Sequence, residues 1–415
     1  MEALGATVEG KGKPSGTLRA PEIFSALAAA AELGYRPAPG TLEVLLKHAG
    51  HTLEECGAAD VAHAAAALPR VGGPEGAPPL DSRWLGSFAN SAIVISHELD
   101  ARALAGVAHA LSRSRVKPRA PRPDADGDDG GGGAYAAAPQ AAPTGPVPYV
   151  PSERWLERYY RALSPRLGDL SGPDAARLLY ALRRFGAAPP PQWLDALAAA
   201  VGRRSVLGTM SGAQLAAAAA GLAALAPSAA RPDASPPMRA LVRELGFAAA
   251  AVEDLRPADA AALLASLAAL GHRPGDAADA LLAAAEPGLA ALPPRALVGL
   301  AASLRRMGHL ADDFWAAAYF QALQGAVKGA QAGDVAALRA AANRVGGAGD
   351  APRAAAAARA AAEVAALVAA AGELEALALE RGAPLGGGAV GALAALLAAA
   401  GVKVSSAAAA TAGSA

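Results

Sequence analysis

A glycine that recurs about every 38 residues is the feature of this sequence that most constrains its fold. Gly72 follows Gly34 by 38 residues, Gly346 follows Gly308 by 38, and Gly308 follows Gly271 by 37. Each closes a segment rich in leucine and alanine, such as LLASLAALG and LAASLRRMG. A helix commonly ends on a glycine in the left-handed conformation, so this glycine column predicts a series of helix C-termini.

A tryptophan followed by leucine marks a second helix in the same period. The pairs begin at Trp84, Trp155 and Trp193, and Trp193 follows Trp155 by 38 residues. Prolines precede these helices, where the missing N–H has no effect on the helix. The clearest unit, 189–226, predicts one helix around Trp193–Val201 and a second one that Ser211 caps.

Two short helices per period predict a repeat protein. Neither helix is long enough to be stable alone, so each must bury its apolar stripe on a neighbour. The composition agrees, because 53% of residues are hydrophobic but only 4% are aromatic, and alanine and leucine favour helices over strands. We therefore expect an all-α fold, a right-handed α-α solenoid of roughly 38-residue helical hairpins, the last of them at 292–330 and 331–371.

Changes in composition divide the chain into six segments. A stretch rich in proline, glycine and aspartate cannot bury a core, and it interrupts the repeats as a disordered insertion. The expected segments are a disordered N-terminal segment at 1–19, an N-terminal repeat array at 20–116, the insertion at 117–150, a main repeat array at 151–346, an irregular alanine-rich helical end at 347–404 and a disordered tail at 405–415.

The unit at 189–226, PPPQWLDALAAAVGRRSVLGTMSGAQLAAAAAGLAALA, resembles the octotricopeptide repeat. This degenerate 38-residue helical hairpin begins PPPxWL and forms arrays in RNA-binding factors of green algal organelles. PSERWLERYYRALSPRLGDLSGPDAARLLYALRRFG at 151–186 is a second match, and APPLDSRWLGSF at 77–88 is a partial one. The resemblance covers most of 21–346 and implies a solenoid whose concave face binds single-stranded RNA, in RNA stabilisation, processing or translation.

The resemblance also implies a location in the chloroplast or mitochondrion. The first 20 residues have neither the apolar region of a secretory signal nor the arginine- and serine-rich composition of a transit peptide, so a cytoplasmic location stays open. No membrane span is expected, because the most apolar stretch, at 390–404, is rich in alanine and glycine and shorter than the roughly 20 apolar residues that a bilayer requires.

Arginines are the candidates for RNA binding. Arg70, Arg184, Arg306 and Arg344 each stand two residues before a closing glycine, and Arg183 and Arg305 double the charge in two of these helices. Arg203 and Arg204 are an additional basic pair. In stacked repeats the column beside the glycines becomes a stripe along one face, which suits a phosphate backbone. The alternative is that these cations only favour the negative end of the helix macrodipole, although this does not explain the doubled arginines. The candidate residues are Arg70, Arg183, Arg184, Arg203, Arg204, Arg305, Arg306 and Arg344.

Aromatic side chains offer a second class of candidate contact. Trp84, Trp155 and Trp193 stand beside leucines on amphipathic helices, so we expect them to pack between repeats rather than to stack on bases. Tyr35, Tyr159 and Tyr160 are the candidates that we expect to be more exposed.

Nothing in the sequence predicts an enzyme, a cofactor or a metal site. The seven histidines are scattered, and the aspartates at 124–128 lack the glycine and glutamate that complete a calcium loop. We therefore predict no catalytic, cofactor-binding or metal-ligating residues, and no small-molecule substrate is evident. The net charge of zero keeps two alternatives to RNA binding open, a protein-interaction scaffold and a ribosome-associated assembly factor of the same architecture.

Overall fold

The computed structural model describes residues 18–71, 80–116, 146–225, 235–272, 275–342, 350–381 and 385–399. Helices dominate these residues, which confirms the all-α prediction. The chain divides into two compact units, Met1–Ala200 and Val201–Ala415.

In the first unit, alternate helices pack against each other: α1 packs on α3, α3 on α5 and α5 on α7, while α4 packs on α5 and α6. The helices are α1 (Ala20–Glu32), α2 (Pro39–Ala49), α3 (Ala58–Val71), α4 (Ser82–Val94), α5 (Ala101–Arg113), α6 (Glu153–Leu163), α7 (Gly172–Phe185) and α8 (Pro191–Val201), with short 3₁₀ turns at Leu53–Glu55 and Ser164–Asp169.

The second unit repeats this alternation. Helix α10 packs on α12, α12 on α14 and α14 on α16, while α9 packs on α11 and α11 on α13. The helices are α9 (Arg204–Leu207), α10 (Gly212–Leu225), α11 (Pro236–Ala250), α12 (Pro257–Ala269), α13 (Asp276–Ala285), α14 (Pro294–Met307), α15 (Asp313–Ala342), α16 (Asp350–Glu380) and α17 (Gly387–Ala399), with a 3₁₀ turn at Glu286–Ala291.

The glycine column ends helices as predicted. Gly34, Gly186, Gly271 and Gly308 have φ angles of 69°, 64°, 68° and 62°, which only glycine adopts without strain. After three of them the next residue donates its backbone N–H to the carbonyl five residues back, the Schellman pattern. These bonds are Tyr35 to Ala30, His272 to Leu267 and His309 to Leu304. Gly72 and Gly346 lie outside the described residues.

The tryptophans pack inside the protein, also as predicted. Trp155, Trp193 and Trp315 are at most 6% exposed, and each donates its indole N–H to a backbone carbonyl earlier in the chain, at 2.8, 3.1 and 3.1 Å. The acceptors are Ala89, Tyr160 and Leu282. Trp315 was not predicted as a member of this column, because alanine rather than leucine follows it.

The prediction that Tyr159 and Tyr160 are exposed is wrong. Tyr159 is fully buried, its ring stacks on Trp155 at 5.0 Å and its hydroxyl donates to the Leu104 carbonyl at 3.0 Å. Tyr160 is 6% exposed and its ring lies 4.8 Å from that of Trp193. The reason is helical spacing, because residues four positions apart lie on the same face. Tyr159 follows the buried Trp155 by four positions, and Tyr160 follows the buried Leu156 by four.

Tyr319 repeats the contacts of Tyr159 in the second unit. Its ring stacks on Trp315 at 5.1 Å, and its hydroxyl donates to the Leu297 carbonyl at 2.8 Å. The same pair of aromatic residues therefore ties α6 to α5 in one unit and α15 to α14 in the other.

The end of the predicted disordered insertion is ordered, which corrects its boundary. Strands β1 (Arg115–Val116) and β2 (Val147–Pro148) pair antiparallel, and Tyr149 donates its backbone N–H to Ser114 at 3.1 Å. Valine favours extended backbone and proline is tolerated in an edge strand, so residues 146–150 leave the insertion. Residues 117–145 lie outside the described part of the chain.

The predicted break between the last two hairpins, near residue 330, is also absent. Helix α15 continues without interruption from Asp313 to Ala342. Its sequence is rich in alanine and contains no proline, and its three glycines, Gly325, Gly329 and Gly333, lie within the helix rather than at its end.

Candidate nucleic-acid interface

Polar side chains seven residues apart line one face of the helix series α3, α5 and α7. Because two helical turns separate positions i and i+7, each pair lies on one side of its helix. The pairs are His63 with Arg70, Arg102 with His109, and Arg177 with Arg184. All six side chains are exposed or half-buried, and the three helices pack in series, so their side chains share one surface.

A cavity of about 440 Å³ lies within this face. Three arginines, Arg70, Arg102 and Arg177, line it together with two histidines, His63 and His109. Two carboxylates, Glu32 and Asp100, also reach it, and most of the remaining lining is alanine and glycine. The cavity therefore combines cationic side chains with small apolar walls.

Two carboxylates at the start of α5 and α7, Asp100 and Asp174, have structural partners. Asp100 caps α5 by accepting the Ala103 N–H at 2.7 Å. Asp174 is buried, accepts from Ser171 and lies 3.2 Å from the Arg177 guanidinium, which orients that arginine. Within the described part of the chain, neither Arg70 nor Arg102 makes an ion pair. Their charges are thus available to an anionic ligand.

His109 is the half-buried titratable group of this cavity. Burial, and then the positive charges of Arg177 and Arg113, lower the pKa of its imidazole to about 4. Its ring contacts Tyr180 edge-on at 5.5 Å, and its Nδ1 is enclosed without a hydrogen-bond partner among the described residues. At neutral pH the imidazole is therefore uncharged, and only its Nε2 remains for a polar contact.

The structure places the predicted arginines in two groups. Arg70 lines the cavity, and Arg183 and Arg184 are exposed at the end of α7 in the same unit. Arg203 and Arg204 precede and begin α9, and Arg305 and Arg306 end α14, all in the second unit. Arg344 lies outside the described residues.

Two arginines of the second group already have carboxylate partners. Arg204 lies 2.9 Å from Glu244, and Arg305 lies 3.8 Å from Glu380. Such exposed pairs add little stability, but the carboxylate lowers the positive potential that an RNA phosphate would meet. Arg70 of the first unit, by contrast, makes no ion pair in the described ranges.

Arg102, Arg177, His63 and His109 are the site residues that the sequence analysis missed. The glycine column directs attention to the last helical turn, whereas these residues lie one to three turns earlier. A search for polar residues seven apart within each predicted helix would have found them.

Most of the equivalent positions in the second unit carry small side chains, and Arg306 is the exception among the six compared. Counted back from the closing glycine, α7 has arginine, tyrosine and arginine at nine, six and two residues. The same positions are Ala262, Ala265 and Ala269 in α12, and Gly299, Ala302 and Arg306 in α14. Polar chemistry on this face is thus concentrated in the first unit.

Comparison of the chain with protein-family models finds no match, and comparison with curated proteins finds none either. No helix in the described ranges is both long and apolar enough to cross a membrane. Among the same residues, no group of three or more histidine, cysteine, aspartate or glutamate side chains is arranged to hold a metal ion.

Proposed function

We propose that this protein is a helical-repeat RNA-binding protein, and that single-stranded RNA binds along the face formed by α3, α5 and α7. The observation that carries this proposal is the arginine-lined cavity within that face. By its resemblance to octotricopeptide repeats, the protein acts in a chloroplast or mitochondrion, in RNA stability, processing or translation.

The proposal includes a solenoid of roughly 38-residue helical hairpins within each unit. Its support is the packing of alternate helices in series: α1, α3, α5 and α7 in the first unit, and α10, α12, α14 and α16 in the second. Further support comes from Trp193 and Trp315, each of which donates to a carbonyl 33 residues earlier, as expected when one hairpin stacks on the preceding one.

The chemistry of the face suits single-stranded RNA. Guanidinium groups form paired hydrogen bonds with phosphate oxygens, and each neutralised phosphate releases counterions. Unpaired bases require planar or polar side chains, which Tyr180 and the neutral His109 provide. Phosphates would set the affinity and these side chains the selectivity.

The test is RNA binding across a salt series, measured by fluorescence anisotropy with single-stranded oligonucleotides. Replacing Arg70 and Arg184 together by alanine removes two phosphate contacts, so we expect weaker binding and a salt slope that is smaller by about 1.4. The matched control replaces Arg83 and Arg154, which are exposed on α4 and α6. An equal loss in both double variants would contradict a specific face, and no loss in either would contradict RNA binding by these arginines.

A protein-interaction scaffold is the second candidate function. Large apolar side chains are exposed in the second unit, with Phe247 60%, Phe314 85% and Leu379 65% exposed, and the net charge of the chain is zero. A scaffold predicts no RNA affinity in the same assay. An assembly factor bound to a ribosome predicts affinity for structured ribosomal RNA above that for single strands.

A further inference from the structure

A single glycine, Gly106, makes room for the cavity in the first unit. It is the sixth residue of α5, and the sixth residues of α3 and α7 are His63 and Arg177. Helix α5 thus carries no side chain at the position where both of its neighbours carry a large polar one. A Cβ at Gly106 would meet Ala65 Cβ at 3.5 Å, an ordinary contact, so a methyl group fits and any longer side chain would occupy the cavity.

We propose that the cavity at Gly106 binds one nucleotide, with the phosphate on the arginines and the base against the small side chains. This assignment rests on the proposed RNA-binding function and names the subsite that selects a base. Its volume of about 440 Å³ is that of a small-molecule site. Ala62, Ala65 and Ala66 of α3 present short apolar walls, which accept the face of a planar ring.

The mixture of charges in the cavity fits a nucleotide better than a simple anion. Arg70, Arg102 and Arg177 supply donors for phosphate oxygens, and Asp174 fixes the last of these. Glu32 and Asp100 would repel a bare polyanion, but their oxygens can accept hydrogen bonds from the N–H groups of a base. His109 adds an uncharged imidazole, whose contact is directional rather than merely attractive.

The experiment measures binding of AMP, GMP, CMP, UMP, inorganic phosphate and single-stranded RNA to the full chain by calorimetry. Gly106→Leu fills the cavity and is expected to weaken nucleotide binding about tenfold or more. Gly106→Ala should bind like the parent. Gly299→Leu is the matched control, because Gly299 is the sixth residue of α14 and faces open space. Alanine and leucine are better helix formers than glycine, so melting curves should show all three variants folded.

The outcomes separate this proposal from the proposed function. RNA binding that depends on Arg70 and Arg184 but not on Gly106, with no nucleotide bound, would overturn the subsite and leave the function intact. Nucleotide binding that Gly106→Leu abolishes, in a protein with no affinity for RNA, would support the subsite and end the RNA proposal. Inorganic phosphate bound as tightly as the four nucleotides would overturn the placement of a base in the cavity.

Discussion

At the scale of single residues, the indole N–H of tryptophan is the contact that recurs. Trp155, Trp193 and Trp315 donate to carbonyls, whereas the buried Nε1 of Trp84 has no partner in the described part of the chain. A buried N–H without a partner carries a desolvation penalty, so these tryptophans should not be energetically equal.

Trp155→Phe should lower the free energy of unfolding by about 1 kcal/mol more than Trp84→Phe, because only the first change removes a hydrogen bond. The two sites are well matched, since each tryptophan stacks on an aromatic residue four positions later, Tyr159 and Phe88. Urea denaturation of the two variants measures the difference. A larger loss at Trp84 would show that the indole hydrogen bond does not stabilise the fold.

His109 gives the stability of the protein a pH dependence with a defined sign. Its pKa is lowered from 6.5 to about 4, so the folded state binds fewer protons than the unfolded state between these values. The stability that the neutral His109 imidazole contributes is complete above about pH 6.5. As the pH falls toward 4 this contribution is lost, and the free energy of unfolding falls by up to about 3 kcal/mol.

His109→Gln should therefore flatten the fall in stability between about pH 7 and pH 5. Urea denaturation at the two pH values measures it. His272, whose pKa burial also lowers, remains in both proteins and cancels in the comparison. His63→Gln is the control, since this exposed side chain removes an imidazole from the same face without removing a buried one. An unchanged slope in His109→Gln would contradict a buried neutral imidazole.

At the scale of helices, the left-handed glycines set the ends. Gly186→Ala forces φ near 64° on a residue with a Cβ and should destabilise the protein by about 1–2 kcal/mol. Gly86→Ala, inside α4 with open space at its Cβ, should stabilise it by about 0.5–1 kcal/mol. Thermal melts distinguish the two, and the same sign for both would contradict the assigned C-terminus of α7.

Helix ends were predictable because glycine and proline act locally. The long α15 was not, since a spacing of 38 residues says where a break recurs but not where it is lost. The ribbon of β1 and β2 depends on a pairing across residues 117–146, which no local pattern encodes. Local signals therefore predicted the helix ends that glycine sets better than the exceptions to them.

The candidate site was predictable only in part for a similar reason. Arg70 and Arg184 stood out because they share a column with a glycine. The cavity arises from three helices that meet only in the folded unit, with Gly106 of α5 between His63 of α3 and Arg177 of α7. A glycine within a helix has no sequence signal that separates an opening from a simple loss of helix propensity.

At the scale of the whole molecule, the ribbon of β1 and β2 brings together the two ends of the described chain on either side of residues 117–145. Trp155 and Tyr159 reach back 66 and 55 residues, which is 33 more than for Trp315 and Tyr319 in the second unit. The indole and hydroxyl contacts of α6 therefore match those of α15 in the second unit, once these 33 residues are subtracted.

Replacing residues 117–146 by Asn-Gly should preserve the fold. The two residues form a tight turn between β1 and β2. Closing the shorter loop costs less conformational entropy, which should raise the free energy of unfolding by at most about 2 kcal/mol. We expect an equal or higher melting temperature and unchanged RNA affinity. A large loss of stability would show that the insertion takes part in the core, and a loss of affinity alone would place it in RNA binding.

The buried tryptophans give the protein an intrinsic fluorescence signal for the opening of individual helix contacts. Its four tryptophans each sit at a different helix junction, and an indole that loses its enclosed environment shifts its emission to longer wavelength. Variants that keep one tryptophan and carry phenylalanine at the other three would follow the opening of one junction at a time. Fluorescence during denaturation would then tell whether the two units melt together or in sequence.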